Sequence, residues 1–117
     1  MSDSLTELRE SIDAFVAERD WAQFHTPKNL AMGVAIEAAE LMEHFLWTAD
    51  AGAAASDPSR KAQIAQEMGD VLIYLVRLSQ VLDVDLVAAA ADKLALNREK
   101  YPVEKVKGRA TKYLDLE

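Results

Sequence analysis

Residues 30–42 read LAMGVAIEAAELM and residues 64–82 read IAQEMGDVLIYLVRLSQVL. In the first segment the only polar side chains are Glu37 and Glu40, and in the second the charged ones are Glu67, Asp70 and Arg77. On a wheel at 100° per residue, Glu37 and Glu40 fall beside Leu30, Val34 and Leu41. Alanines and Met42 take the far side. Glu67 and Asp70 likewise share a face with Val71, Tyr74 and Leu78. A helix that is apolar all round is buried all round, and a chain of 117 residues has too little protein to do that alone. A subunit partner is therefore expected. Gly33 and Gly69 each cost about 1 kcal/mol of helix propensity relative to alanine, which suggests close helix approach at both.

These segments place four carboxylates, as two i,i+3 pairs, on largely apolar helices. Ionised acids are costly to bury without a positive partner. Nearby bases are few, among them Lys28 on one helix and Lys61 and Arg77 on the other. A divalent cation compensates them better. Carboxylates three residues apart project side by side, and a second pair on a facing helix completes an oxygen cage. Oxygen ligands alone favour Mg²⁺, with Mn²⁺ as a substitute. A non-catalytic helical dimerisation module fits the apolar faces as well.

The rest of the chain supplies further helices. Ser4-Leu5-Thr6-Glu7 fits a capping box, and Leu8, Ile12, Phe15 and Val16 recur at helical spacing until the pattern fades after Asp20. Trp21 to His25 form a short aromatic connector. Thr26-Pro27 caps a second helix expected to run to about Trp47. Residues 48–56 read as a loop, either lid or connector. Asp57-Pro58 opens a third helix to about Leu82, and Asp85 caps a fourth that Pro102 stops after Tyr101. The tail, residues 103–117, has no convincing period. The fold class is all-α, a four-helix bundle-like arrangement in a single domain.

Composition narrows the function. Twenty acids against thirteen bases give a net charge of −7, which argues against a general nucleic-acid binder. The absence of cysteine excludes disulfide scaffolds, zinc ribbons and thiol catalysis. Residues 1–4 carry no basic and apolar leader pattern, and no apolar stretch has the length of a membrane span, so a cytoplasmic protein is expected. A di-iron carboxylate bundle would draw on Glu-x-x-His pairs. Three residues before His25 and His44 stand Ala22 and Leu41, so neither histidine completes one.

Glu37-x-x-Glu40, 26 intervening residues and Glu67-x-x-Asp70 together resemble the ExxE…ExxD signature of the MazG-like all-α nucleoside triphosphate pyrophosphohydrolases. ERDWAQFHTPKNL (residues 18–30), GDVLIYLVRL (69–78), NREKYP (97–102) and TKYLDL (111–116) look like that superfamily's dCTP pyrophosphatase branch. The resemblance spans residues 8–116. It implies Mg²⁺-dependent hydrolysis of a nucleoside triphosphate to monophosphate and pyrophosphate, in the service of nucleotide-pool cleansing, by a dimer or a dimer of dimers.

On that reading Glu37, Glu40, Glu67 and Asp70 hold the metal and carry catalysis, with one glutamate a candidate general base. Lys28, in the first turn of helix two, is placed to meet an anion. Lys93, Arg98 and Lys100 on helix four, with Arg109 and Lys112 in the tail, are further phosphate candidates. The resemblance favours Lys93 and Asn97, one turn apart, together with Lys100 and Tyr101 of the NREKYP segment. Trp21 and Trp47 bracket helix two as candidate stacking partners for a pyrimidine, with His25 and Tyr74 at its edges. One departure stands out. Deoxycytidine-specific relatives carry a histidine nine residues before the first tryptophan, where this chain has Ile12. Its loss loosens the expected preference for cytosine.

Overall fold

Each helix begins where a short polar side chain can take up a free backbone N–H. The computed structural model describes residues 3–48 and 56–116. They form α1 (Ser4–Glu18), a 3₁₀ turn (Ala22–Phe24), α2 (Pro27–Glu43), α3 (Pro58–Val81), α4 (Leu86–Lys100), α5 (Val103–Val106) and a second 3₁₀ turn (Tyr113–Asp115). All regular elements among the described residues are helical, as expected. None of these helices is long and apolar enough to cross a membrane.

Thr26 Oγ1 accepts from the Asn29 N–H at 3.2 Å, Asp57 Oδ1 from Ser59 at 3.0 Å and Asp85 Oδ1 from Ala88 at 3.0 Å. Pro27 and Pro58 fill first-turn positions where a missing N–H costs nothing. The first cap differs from the sequence expectation. Asp3 rather than Ser4 caps α1, its Oδ1 accepting from the Thr6 N–H at 2.7 Å. A carboxylate is the stronger acceptor at a helix N-terminus and displaces the capping box by one residue. The α2 helix is also shorter than expected and ends at Glu43. Arg60 Nη2 donates to the His44 carbonyl at 2.5 Å, satisfying a terminal acceptor from outside, and residues 44–47 continue as turns closed by Phe45 N–H to Met42 O and Leu46 N–H to Glu43 O. Of the expected loop, residues 49–55 lie outside the described residues.

The chain divides into two compact units, Met1–Asp83 and Val84–Glu117. In the first, α2 and α3 pack along each other and α1 lies against α3. The core is small: Ile12 and Val16 from α1, Leu30 from α2 and Val76 from α3. Ser79 is buried beside them, its hydroxyl donating to the Val76 carbonyl at 2.6 Å. Leu30 and Val76 lose all but 1% and 0% of their surface, so they carry the greatest packing energy per residue.

Among the described residues the apolar helices are covered only in part. Met32, Ile36 and Met42 on α2, and Met68, Leu72 and Ile73 on α3, are exposed. Gly33 does sit at a close approach, because a Cβ there would overlap the Tyr74 ring. Gly69 has no neighbour within 4 Å of where its Cβ would stand, so the close approach expected at that position is not found.

In the second unit α4 ends at Lys100 and Pro102 restarts the chain as α5. The tail is thus more ordered than its sequence suggests: the one-turn α5, a turn at Gly108 (φ +77°) and the 3₁₀ turn replace an irregular segment. Tyr113 explains part of this. Its ring meets Tyr101 edge-on at 6.1 Å and lies under Lys100 Nζ at 4.8 Å. Replacing fully buried Leu30 by alanine is expected to cost about 3 kcal/mol in denaturant unfolding. Leu114→Ala, at an exposed position, is expected to change stability by less than about 0.5 kcal/mol.

Candidate active site

Two pairs of acids meet where α2 and α3 run side by side. Glu37 and Glu40 are one turn apart on α2, and Glu67 and Asp70 one turn apart on α3. Glu37, Glu67 and Asp70 each offer a carboxylate oxygen within 4.8 Å of the others, a spacing at which all three can hold one metal ion. Glu40 stands next to them: its carboxyl hydrogen-bonds Glu37 and its charge acts on both Glu37 and Glu67.

Crowded acids resist ionisation. The hydrogen bond with Glu40, burial and the charges of Glu40, Asp70 and Glu67 push the Glu37 carboxyl up to about 7. Burial, then the Glu40 charge, raises Glu67 as well. Opposing charge is scarce: the one ion pair to the cluster among the described residues runs from His44 Nε2 to Glu67 Oε1 at 3.9 Å. Buried Oε2 atoms of Glu37 and Glu67 have no hydrogen-bond partner. Buried carboxylate oxygens without donors, in an all-oxygen cluster, are what a hard divalent cation satisfies. The residues present fit such an ion.

A cavity of about 290 Å³ opens beside these acids. Ile12, Phe15 and Val16 of α1 form one wall, Trp21 and His25 of the connector a second, Leu30 and Glu37 of α2 a third, and Asp70, Ile73, Tyr74 and Arg77 of α3 the fourth. Asp70, Tyr74 and Arg77 follow at i, i+4 and i+7 and share the face that carries the acid cluster. Trp21 is held edge-on against Phe15 at 5.6 Å. Tyr74 packs directly over Gly33, which leaves its ring at the cavity wall.

Several residues expected from sequence thus converge: Glu37, Glu40, Glu67 and Asp70 in the cluster, Trp21, His25 and Tyr74 around the cavity. Others stand apart. Trp47 is 94% exposed, has a positive φ of 64° and does not line the cavity, because α2 ends before reaching it. Lys28 is exposed in the first turn of α2 and is also outside the lining. Lys93, Asn97, Lys100 and Tyr101 belong to the second unit, on α4 and its C-cap. Arg77 is the site residue that sequence reading missed. Its i+7 spacing from Asp70 was the available signal, and it was counted only as a possible counter-charge. Its Nε donates to His25 Nδ1 at 3.0 Å.

Known proteins resemble this chain over most of its length. Residues 33–116 match the model of the MazG-like family. The chain belongs to the MazG-like family. It is 44% identical to dCTP pyrophosphatase 1 of Rattus norvegicus and 39% identical to that of Homo sapiens, in each case over 97% of this chain and 68% of the relative. Among solved structures, a pyrophosphatase of Archaeoglobus fulgidus superposes with a TM-score of 0.80 at 37% identity, covering 87% of this chain and 95% of that one. The family membership covers both acid pairs, and the fold match is to a pyrophosphatase.

Two outcomes follow from the geometry. An acid that holds its proton more tightly folded than unfolded withdraws stability as it ionises. The cation-free protein is therefore expected to lose stability as pH rises from about 4.5 to about 7, the range over which Glu37 shifts. A divalent cation replaces that proton, so it should raise the melting temperature more at about pH 8 than at about pH 5, as read by differential scanning fluorimetry with and without EDTA. In Gly33→Ala the new Cβ displaces the Tyr74 ring into or away from the cavity. This variant is expected to lower nucleotide affinity by about tenfold or more in calorimetric titration, a loss that an accommodating ring would not produce.

Proposed function

We propose that this protein is a Mg²⁺-dependent pyrophosphohydrolase that cleaves a pyrimidine deoxynucleoside triphosphate, dCTP or a related or modified one, to the monophosphate and pyrophosphate. The observation that carries the reading is the four-carboxylate cluster with its unpartnered buried oxygens at the mouth of a small, aromatic-walled cavity. Membership of the MazG-like family and the similarity to dCTP pyrophosphatases support it.

In this reading Glu37, Glu40, Glu67 and Asp70 hold the cation. When bound, Mg²⁺ offsets the triphosphate charge and lowers the pKa of a coordinated water. The protein's own residues do the rest. Water oxygen bonds to the α-phosphorus as the bond to the bridging oxygen breaks, and pyrophosphate leaves with that oxygen. One carboxylate of the cluster accepts the proton of the water. Apolar walls from Ile12, Val16 and Leu30 exclude bulk solvent, and Trp21 presents an aromatic face to the base. Lys28, in the first turn of α2, is assigned to the phosphates, and the family resemblance offers Lys93, Asn97, Lys100 and Tyr101 of the second unit as further phosphate and sugar ligands.

The exposed apolar surfaces of α2 and α3, together with the fully exposed Trp47, support assembly as a homodimer or homotetramer whose copies cover one another. The role is pool cleansing in the cytoplasm, with the free nucleotide rather than nucleic acid as partner.

Product analysis with a panel of deoxynucleoside triphosphates tests the reaction. Monophosphate and pyrophosphate, abolished by EDTA, are expected. Glu67→Gln and Asp70→Asn should each lower kcat by about a hundredfold or more while leaving the oligomer intact by light scattering. Release of orthophosphate would place the cut at another bond. Absence of any turnover, with the oligomer preserved, would favour the alternative that the helices serve only to associate.

A further inference from the structure

Arg77 is held in place from three sides. Its Nη1 donates to Asp13 Oδ1 on α1 at 3.0 Å and to Gln80 Oε1 at 3.1 Å, and its Nε donates to His25 Nδ1 at 3.0 Å. Gln80 in turn donates from Nε2 to the Arg9 carbonyl at 2.9 Å, tying this group to the α1 backbone. The Arg77 side chain is only 13% exposed and lines the cavity, as does His25. These bonds use Nε and Nη1, and none of them uses Nη2.

This arrangement decides what His25 offers a ligand. A guanidinium can only donate, so Nδ1 must present its lone pair to Arg77 and the ring proton must reside on Nε2. Burial first, and the Arg77 charge second, lower the proton affinity of the ring and keep it in this neutral tautomer. Among the polar groups at this end of the cavity, His25 Nε2–H and the Arg77 guanidinium only donate, while the Tyr74 hydroxyl can turn to either role. Gln80 Oε1 and Asp13 Oδ1 both hold Arg77, and neither residue lines the cavity. On the α1 side stand Ile12, Phe15 and Val16, with no polar atom to offer. Arg77 lies seven residues from Asp70 on α3, about 10.5 Å along the helix. A nucleotide whose phosphates meet the carboxylates thus extends its base towards these donors.

We propose that Arg77 is the base-selecting residue of this site and that, together with the His25 tautomer it enforces, it favours pyrimidines with a carbonyl at the 4-position, uracil and thymine, over cytosine with its amine. The inference rests on the proposed pyrimidine triphosphate hydrolysis and, within it, moves the preferred base from cytosine to the related pyrimidines uracil and thymine. Uracil and thymine present O4 as an acceptor where cytosine presents an N4 donor. Donor facing donor leaves both unpaired in a dehydrated pocket, the situation in which hydrogen-bond mismatch discriminates most strongly. Ile12, on the α1 side of the cavity, offers the base no polar contact.

The experiment combines hydrolysis with binding. For the wild-type protein, kcat/KM for dUTP is expected to exceed that for dCTP by about tenfold or more. Calorimetric titration of dUMP and dCMP should show the same order, independently of turnover. Arg77→Ala is expected to bring the dUTP to dCTP ratio to within about twofold, the change falling on KM for dUTP. Arg77→Lys, which keeps a cation and most of the packing, should give an intermediate ratio, and serves if the alanine variant is poorly folded. A wild-type preference for dCTP overturns the proposal. So does an equal loss towards both substrates in the Arg77 variants, which would mark a merely structural role. If no triphosphate is hydrolysed yet dUMP binds more tightly than dCMP in an Arg77-dependent manner, the hydrolase reading fails and base selection stands. If dUMP shows no preference over dCMP, base selection fails whatever the triphosphates do.

Discussion

Four carboxylates forced together between two helices are the constraint around which the first unit is arranged. Glu37 and Glu67 cannot relax their buried oxygens onto protein donors, and their neighbours are other acids rather than bases. Such a cluster opposes folding unless protons or a cation are supplied, since like charges at this spacing repel in a medium less polar than water. What holds α2 and α3 together despite this is packing below the acids, at Leu30 and Val76, and the close contact of Tyr74 with Gly33. The acids thus sit between two helices whose pairing is stabilised elsewhere along their length.

Most of the helical architecture was legible because its signals are local. Thr26-Pro27, Asp57-Pro58 and Asp85 act through hydrogen bonds within a few residues, and the caps stand where the sequence places them. The misreadings arise where a competing group decides. Asp3 outcompetes Ser4 as a cap, and α2 stops short of Trp47 because Arg60, sixteen residues on, takes the His44 carbonyl. In the tail, ring contacts between Tyr101 and Tyr113 order a stretch that shows no period.

The site divides in the same way. Glu37, Glu40, Glu67 and Asp70 were legible because an i,i+3 pair of acids inside an apolar run is conspicuous at the level of one helix. Trp21 and His25 were placed by resemblance, Tyr74 by its position one turn after Asp70, and all three lie at the cavity wall. Arg77 was not recognised, because its role depends on Asp13, His25 and Gln80, of which two are more than fifty residues away in the chain. No periodicity encodes a bond of that range. Asn97 and Lys93 rest on the resemblance alone, since they belong to the other unit.

A chain of this length has few residues to spare, and the same side chains serve both stability and recognition. Ile12, Val16 and Leu30 are core residues and also cavity walls. Altering them to change specificity would remove the packing that holds α1 to the hairpin. Selectivity is then best carried by a polar residue at the cavity's edge, anchored from outside the core. Arg77 meets that description: Asp13, its charge partner, is 64% exposed, and Gln80 draws on a backbone carbonyl of α1. Exchange of such a residue alters hydrogen-bond pattern without emptying core volume, whereas exchange of Leu30 would leave a void. The chemistry of the phosphate end is fixed by four acids that must stay together, and the base end is free to vary through groups that the core does not need.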